Sequence, residues 1–418
     1  MPYRRRRTAV AIATALTATA VAAVLGATTA VAVPTATAHT ARPGASAAQL
    51  PPGADALRQA IAGLPSADAT AAQVRLGGAQ GSWQGTSGES DIRTHRAPKG
   101  DERFRAGSIT KVFTAALALQ LVHEGKLDLD GTVQQYLPEL LPANYPDVKV
   151  KQLLNYTSGL PSANDPGDFA SQYERRFTTW DHVQLVKRGF TQPMEFAPGT
   201  QQHYSNIGYN VLGLLIEKVT GHSYESELRD RVLRPTGLKD TYSPGNDPRI
   251  HGRHTHGYQA VKAADGSTQL IDVTDWNQSI TWASGDLVTT TADLERFTTA
   301  LFRGRIVPER ELALMFTVPD VPAYGGGKAT YSSGLSRYVY DDGKKKTEVW
   351  GKTGDRYGYV NGFAATKNLS STLVYAVNGT DAKGKEMNAV VGRIIGAFGK
   401  AAQAAQGTQA ASAARTGS

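Results

Sequence analysis

Three short stretches carry residue types that suit acyl transfer. In Phe104-Arg-Ala-Gly-Ser-Ile-Thr-Lys111 a serine and a lysine stand three apart, followed by Val112, Phe113, Ala116, Leu117 and Leu121 at helical spacing. On a helix, that spacing puts Ser108 and Lys111 on one face. Gly107, just ahead of the apolar run, permits close backbone approach and places Ser108 in the first turn, where N–H groups point outward. The helix end favours a developing alkoxide by only about 0.3–1 kcal/mol, too little to activate a hydroxyl. A lysine held partly out of water loses its preference for the charged form and can take or relay the serine proton. The plain alternative makes Ser108 an N-cap and Lys111 a solvated helix charge.

The second stretch is Pro198-Gly-Thr-Gln-Gln-His-Tyr-Ser-Asn206. Tyr204 and Asn206, two apart in an extended or looping segment, can turn a phenol and an amide toward one cavity. Alternatively the segment only caps a helix beginning at Ile207, with Asn206 as its N-cap. A second Tyr-x-Asn at Tyr359–Asn361 shows how common the pattern is, and His203 reads as a neighbour rather than a base. The third stretch, Trp350-Gly-Lys-Thr-Gly354, lies in strand-like sequence. Lys352 and Thr353, with Gly354 to let a ligand backbone approach, suit an anionic acyl substrate laid along a sheet edge, or else an edge strand guarded by a charge.

These stretches need elements to hold them. A first helix is expected over Gly53–Leu64, with Leu57, Ile61 and Leu64 on one side, then strand pieces around Val74–Leu76 and Gly81–Thr86. The Ser108 helix should end at Gly125, Val148–Tyr156 should be helical, and Ile207–Thr220 should form a helix closed by Gly221. From about 126 to 300 the chain offers helix and loop rather than strand. Strand character returns at Gly334–Tyr340, Thr347–Thr353, Tyr359–Thr366 and Ser371–Asn378, with a closing helix over Glu386–Phe398. Strands at both ends and helices between them imply an α+β protein: an antiparallel sheet flanked by helices, with a mostly helical lobe inserted.

The chain opens Met-Pro-Tyr-Arg-Arg-Arg-Arg and then carries no charge from Thr8 to Ala38. That is the layout of a signal peptide over 1–38, with small-residue cleavage options at Ala30-Val-Ala32 and Ala36-Thr-Ala38, and it predicts a secreted protein without a stable membrane anchor. No cysteine is present, so an exported chain would rely on its core rather than disulfides. The net charge of +8 falls to +4 once the leader's four arginines are set aside. The remaining basic residues are scattered among acids, which gives nucleic-acid binding no support. A disordered tail is expected over 399–418, where the sequence is Ala/Gln-rich and of low complexity.

Taken together, S-x-x-K, Y-x-N and K-T-G in this order resemble the penicillin-recognising serine hydrolases. The likeness is to the branch holding class C β-lactamases, serine esterases of that fold and, above all, secreted soluble D-Ala-D-Ala carboxypeptidases. It spans most of residues 53–398 and includes Leu121-Val-His-Glu-Gly-Lys-Leu-Asp-Leu-Asp130, Leu153-Leu-Asn-Tyr-Thr-Ser-Gly-Leu160, Gly208-Tyr-Asn-Val-Leu-Gly213 and Leu233-Arg-Pro-Thr-Gly-Leu238. The resemblance implies a β-lactamase/transpeptidase-like fold across 39–398 and a monomer needing no metal or cofactor, acting on a peptidoglycan stem peptide or a β-lactam. It implies Ser108 as nucleophile, with Lys111 and Tyr204 sharing the proton work. The N–H groups of Ser108 and Asp355 would hold the oxyanion, Asn206 the substrate amide, and Lys352 with Thr353 its carboxylate, beside Gly354. Two positions depart from the carboxypeptidases. Lys352 stands where they often have histidine, and their carboxylate-binding arginine falls on Ser336. Adjacent Arg337 should point to the opposite strand face, which leaves Arg356 as a possible substitute. Alternatives within the resemblance are a β-lactamase, a broad esterase, or a non-catalytic β-lactam-binding protein.

Overall fold

A computed structural model describes residues 50–161 and 167–416. The signal peptide expected over 1–38 lies outside the described residues. Six strands form one antiparallel sheet in the order β2-β1-β10-β9-β8-β7. The strands are β1 (Ala69–Gly78), β2 (Trp83–Gly88), β7 (Ser336–Asp341), β8 (Lys346–Arg356), β9 (Tyr359–Ala365) and β10 (Ser371–Gly379). The pairing of β1 with β10, Val74 opposite Tyr375, joins the two ends of the chain into one sheet. Short turns set the meander: the Asp341 carboxylate accepts from the Gly343 N–H at 2.9 Å, and the Asn368 amide oxygen accepts from the Ser370 N–H at 3.1 Å.

Each sheet face is covered. On one side Leu57 and Ile61, from helix α1 (Ala54–Ala60) and its end, pack with Val390, Ile394 and Phe398 onto Val74, Leu373, Tyr375 and Val377. On the other lie helix α2 (Thr110–His123) and the helix Thr291–Phe302, whose Phe113 and Phe297 rings stack at 3.7 Å. β10 is buried along its whole length, so its sequence Ser-Thr-Leu-Val-Tyr-Ala-Val lacks polar alternation. α2 is buried on nearly all sides, Lys111 included.

Between β3 (Phe104–Arg105) and β7 the chain builds a mostly helical region in which the helix Ile207–Thr220, as long as α2, ends at Gly221 with φ +74. Two features differ from expectation there. A hairpin of β4 (Tyr258–Lys262) and β5 (Thr268–Asp272) interrupts the helices, and β6 (Val288–Thr289) pairs with β3. β5 was illegible as a strand because it is exposed or half-buried throughout and so carries no apolar alternation. The helix Thr291–Phe302, which falls largely within the span 126–300 expected for the inserted lobe, packs against the sheet beside α2.

The tail expected to be disordered from 399 is corrected as well. The closing helix runs Ala389–Thr416, and Ala401, Ala402 and Ala405 are buried. Alanine is the strongest helix former, and its small side chain lets this turn pack closely beside Gly53, which takes φ +92. The described sheet and helices form one compact unit. Among the described residues no helix is long and apolar enough to cross a membrane.

Candidate active site

Ser108 sits in a single 3₁₀ turn, Gly107–Ile109, that leads directly into α2. Gly107 takes φ +56, and a Cβ there would lie 2.7 Å from the Asp355 nitrogen, so the turn is pressed against β8. β8 is paired with β7 only as far as Ser336 opposite Gly351, whereas its pairing with β9 continues to Arg356 opposite Tyr359. Residues 352–356 therefore keep β9 on one side and present their other edge toward the serine turn.

Lys111 is fully buried on the first turn of α2. Its Nζ is 3.2 Å from Ser108 Oγ, 2.7 Å from Asn206 Oδ1 and 2.7 Å from the Ser284 carbonyl oxygen. Among the described residues no carboxylate pairs with it. Burial holds its ammonium well below the ordinary lysine value, and the positive charges of Lys352 and Lys383 push the same way. A neutral amine there has two N–H groups and one lone pair. Asn206 Oδ1 and the Ser284 carbonyl can accept the two N–H groups, which leaves the lone pair for the serine proton.

Asn206 does not act as a side-chain cap for the helix it precedes. Ser205 does so, its Oγ accepting from the Gly208 N–H at 3.1 Å, and this frees the Asn206 amide for Lys111. Tyr204 is held in a cage of rings: Tyr156 stacks at 5.2 Å and Tyr331 lies at 5.5 Å. Lys111 Nζ and Lys352 Nζ lie 5.0 and 4.9 Å from its ring centre. The Tyr204 hydroxyl is buried without a well-formed hydrogen bond. Burial keeps the phenol protonated well beyond its usual range, while the Ser108 hydroxyl it faces opposes that shift.

Lys352 is buried, its Nζ donates to the Thr353 carbonyl at 2.8 Å, and burial pushes it down to about 8, with the Asp355 carboxylate opposing. Gly354 faces the serine turn, and Thr353 is half-buried. Asp355 has its carboxyl pushed up by burial, and its carbonyl accepts from Lys383 Nζ at 3.0 Å. Arg356 is buried and lines a cavity of about 640 Å³ together with Ser108, Tyr204, Asn206, Phe169 and Trp180. Arg337 is not in that lining. Its Nε lies 4.0 Å from a Glu348 carboxylate oxygen on the neighbouring strand, while Ser336 is buried. His203 also stays outside, paired with Glu195 and stacked on Tyr324 at 4.8 Å.

Several contributors escape a sequence reading. The Ser284 acceptor is a main-chain oxygen, which any residue supplies. Tyr156 reaches Tyr204 through a turn in which it takes φ +62. Gln202 fastens the cage, donating to the Asn155 and Tyr331 carbonyls at 2.9 and 2.8 Å and accepting from the Thr330 and Tyr331 N–H groups at 2.9 and 3.0 Å. Among the described residues no cluster of three or more His, Cys, Asp or Glu side chains is placed to hold a metal ion.

A hydroxyl, a buried amine one helical turn on and a buried phenol, set against an open strand edge, are the parts a serine hydrolase needs. The Beta-lactamase family matches residues 30–394, and the chain belongs to that family, within the superfamily that also holds the penicillin-binding proteins. The D-stereospecific amidohydrolase from a Streptomyces species has the same fold, with a TM-score of 0.70 at 30% identity over 82% of this chain and 98% of that one. The D-amino acid amidase from Ochrobactrum anthropi SV3, solved with L-phenylalanine amide, gives a TM-score of 0.67 at 27% identity over the same shares, 82% and 98%. Penicillin-binding protein 4* of Bacillus subtilis strain 168 is 25% identical over 307 residues, 70% of this chain and 64% of its own length. Protein flp of Staphylococcus aureus strain MW2 is 30% identical over 200 residues, 47% of this chain, and the match spans only 38% of that protein.

Proposed function

We propose that this protein is a secreted, monomeric serine D-alanyl-D-alanine carboxypeptidase that acts on peptidoglycan-type peptides and is acylated by β-lactams. The observation that carries the reading is Lys111: a buried lysine without a carboxylate partner among the described residues, 3.2 Å from the Ser108 hydroxyl, is costly to the fold and useful as a proton acceptor.

In this mechanism the Ser108 proton passes to Lys111 as Oγ bonds to the carbonyl carbon of the penultimate D-alanine. The N–H groups of Ser108 and Asp355 receive the oxyanion; one such donor is typically worth about 2.7–4 kcal/mol. As the C–N bond breaks, Tyr204 gives its proton to the leaving amine and is reprotonated from Lys111. Water then repeats the sequence in reverse, with the proton returning to Ser108. Asn206 orients the substrate amide, and Lys352 with Thr353 receives the leaving residue's carboxylate.

A second reading, hydrolysis of D-amino acid amides, is favoured by the likeness to the Streptomyces amidohydrolase. The charges near the cleft argue for the first. Arg188, Arg356 and Lys383 line the cavity and Lys352 lies beside Tyr204, a setting that suits an anion better than a free ammonium group. The test is intact-mass analysis after incubation with a penicillin, together with turnover of a D-Ala-D-Ala peptide and a D-amino acid amide. A penicilloyl adduct on Ser108 that persists for minutes, with release of D-alanine from the peptide, supports the carboxypeptidase. Rapid loss of the adduct points to a β-lactamase, and preference for the amide points to an amidase. The absence of any adduct, or full peptide turnover by Ser108→Ala, sinks the acyl-serine mechanism.

A further inference from the structure

Arg356 is the least accounted-for charge near Ser108. Its side chain is 8% exposed, its Nε is buried without a partner, and it makes no ion pair with any described residue. Trp276 packs at 5.9 Å from the guanidinium carbon. Burial and the nearby Arg105 push it down to about 10, so it remains cationic at neutral pH. An unpaired buried cation is a standing cost to the fold unless something anionic arrives to meet it.

Its place on the strand says where that anion would be. Lys352, Gly354 and Arg356 alternate along β8 and share one face. The serine turn meets the strand at Gly354 and Asp355, so Lys352 and Arg356 lie on opposite sides of the reacting carbonyl, each roughly 7 Å away along the strand. A substrate whose leaving group reaches toward Lys352 must run its acyl arm toward Arg356. The cavity lies on that same side, and Lys383 reaches over its wall to the Asp355 carbonyl.

We propose that Arg356, assisted by Lys383, forms an acyl-arm subsite for a carboxylate, so that the preferred acyl donors carry a negative charge on the residue that precedes the scissile D-amino acid. This rests on the acyl-serine reading above and adds a substrate class to it. It also parts Arg356 from the leaving-group carboxylate, which stays with Lys352 and Thr353. Among the described residues the acid groups near Arg356 and Lys383 are Asp355, which lies beside Lys383, and Asp168, whose carboxylate accepts from the Ser171 N–H at 2.9 Å.

The test uses two penicillins that differ only by an α-carboxylate on the acyl arm, with the second-order rate of Ser108 acylation read by intact mass. The wild-type protein should react about tenfold faster with the carboxylate-bearing compound, the scale of one charge-assisted hydrogen bond. In Arg356→Gln that ratio should fall to about one, and in Arg356→Lys it should be largely restored. Thermal melts show that each variant is folded, and because a ratio is read, a general loss of rate does not mimic the effect. A wild-type ratio at or below one overturns the subsite, as does a ratio unchanged in both Arg356→Gln and Lys383→Gln. No adduct with either compound overturns the acyl-serine reading and the subsite with it, so the two failures are distinguishable.

Discussion

Gly107 and Gly354 are each other's steric requirement. A Cβ on Gly107 would lie 2.7 Å from the Asp355 nitrogen, and one on Gly354 would lie 2.8 Å from the Ser108 nitrogen. Both N–H groups assigned to the oxyanion thus belong to backbones in contact, and a methyl group on either glycine wedges them apart. Gly354→Ala is expected to slow acylation by about 10²-fold or more, the effect of losing one oxyanion donor. Stopped-flow acylation with a chromogenic β-lactam, beside a thermal melt, checks it. An alanine variant that reacts at the wild-type rate would show that the two segments do not act together.

Tyr204 separates stability from chemistry. Its hydroxyl is buried without a well-formed hydrogen bond, and its ring supplies the packing against Tyr156 and Tyr331. Tyr204→Phe keeps the ring and removes the polar atom. The variant should be as stable as the wild type or up to about 1 kcal/mol more so. The proton relay should lose about 10² to 10⁴ in rate. Urea denaturation and adduct turnover report the two quantities separately; a destabilised variant with normal turnover would contradict both halves.

Much of this site was legible in the sequence because it rests on short-range spacing. Ser108 with Lys111 needs only a helix, and the Lys352-Thr-Gly354 run needs only a strand with a small residue where another backbone arrives. The pattern failed where the contribution is not a side-chain type at a fixed offset. The Ser284 acceptor is a carbonyl, the Gln202 clamp joins segments far apart in the chain, and Asn206 reads as a cap until Ser205 is seen to cap instead. In the fold, buried β10 and the meander around it were readable from β-branched and aromatic runs between turn residues. The β4–β5 hairpin was not, because little of it is buried.

Lys352 sets a pH dependence on binding rather than on chemistry. Burial brings its ammonium down to about 8, so the cation that would receive a leaving-group carboxylate is present below that pH and lost above it. KM for a D-Ala-D-Ala peptide should therefore rise as pH passes from about 7 to 9.5, with a smaller change in kcat. Arg356 should not contribute to the rise over most of that range, since its value lies near 10. A flat KM across the interval would remove Lys352 from carboxylate recognition.

Gln202 offers a test of how far from Ser108 the site's precision is set. Its side-chain amide joins the backbones of Asn155, Thr330 and Tyr331, and so steadies the segments that carry Tyr156 and Tyr331, the two rings that flank Tyr204. It is 3% exposed, so Gln202→Ala would leave two carbonyls and two N–H groups of the cage without that partner. At about 0.5–1.5 kcal/mol net for each of the four lost bonds, the variant should be destabilised by roughly 2–6 kcal/mol. A merely structural clamp would stop there. If it also positions the phenol, the folded variant should acylate about tenfold more slowly while KM stays close to the wild-type value, because Asn206 and Lys352 are held by other contacts. Gln202→Glu loses both donors and sets a buried carboxylate oxygen against the Asn155 and Tyr331 carbonyls, so it should be destabilised at least as much as Gln202→Ala. Kinetics measured well below the melting temperature of each variant decide the matter, and full-rate acylation by folded Gln202→Ala would confine the residue to stability.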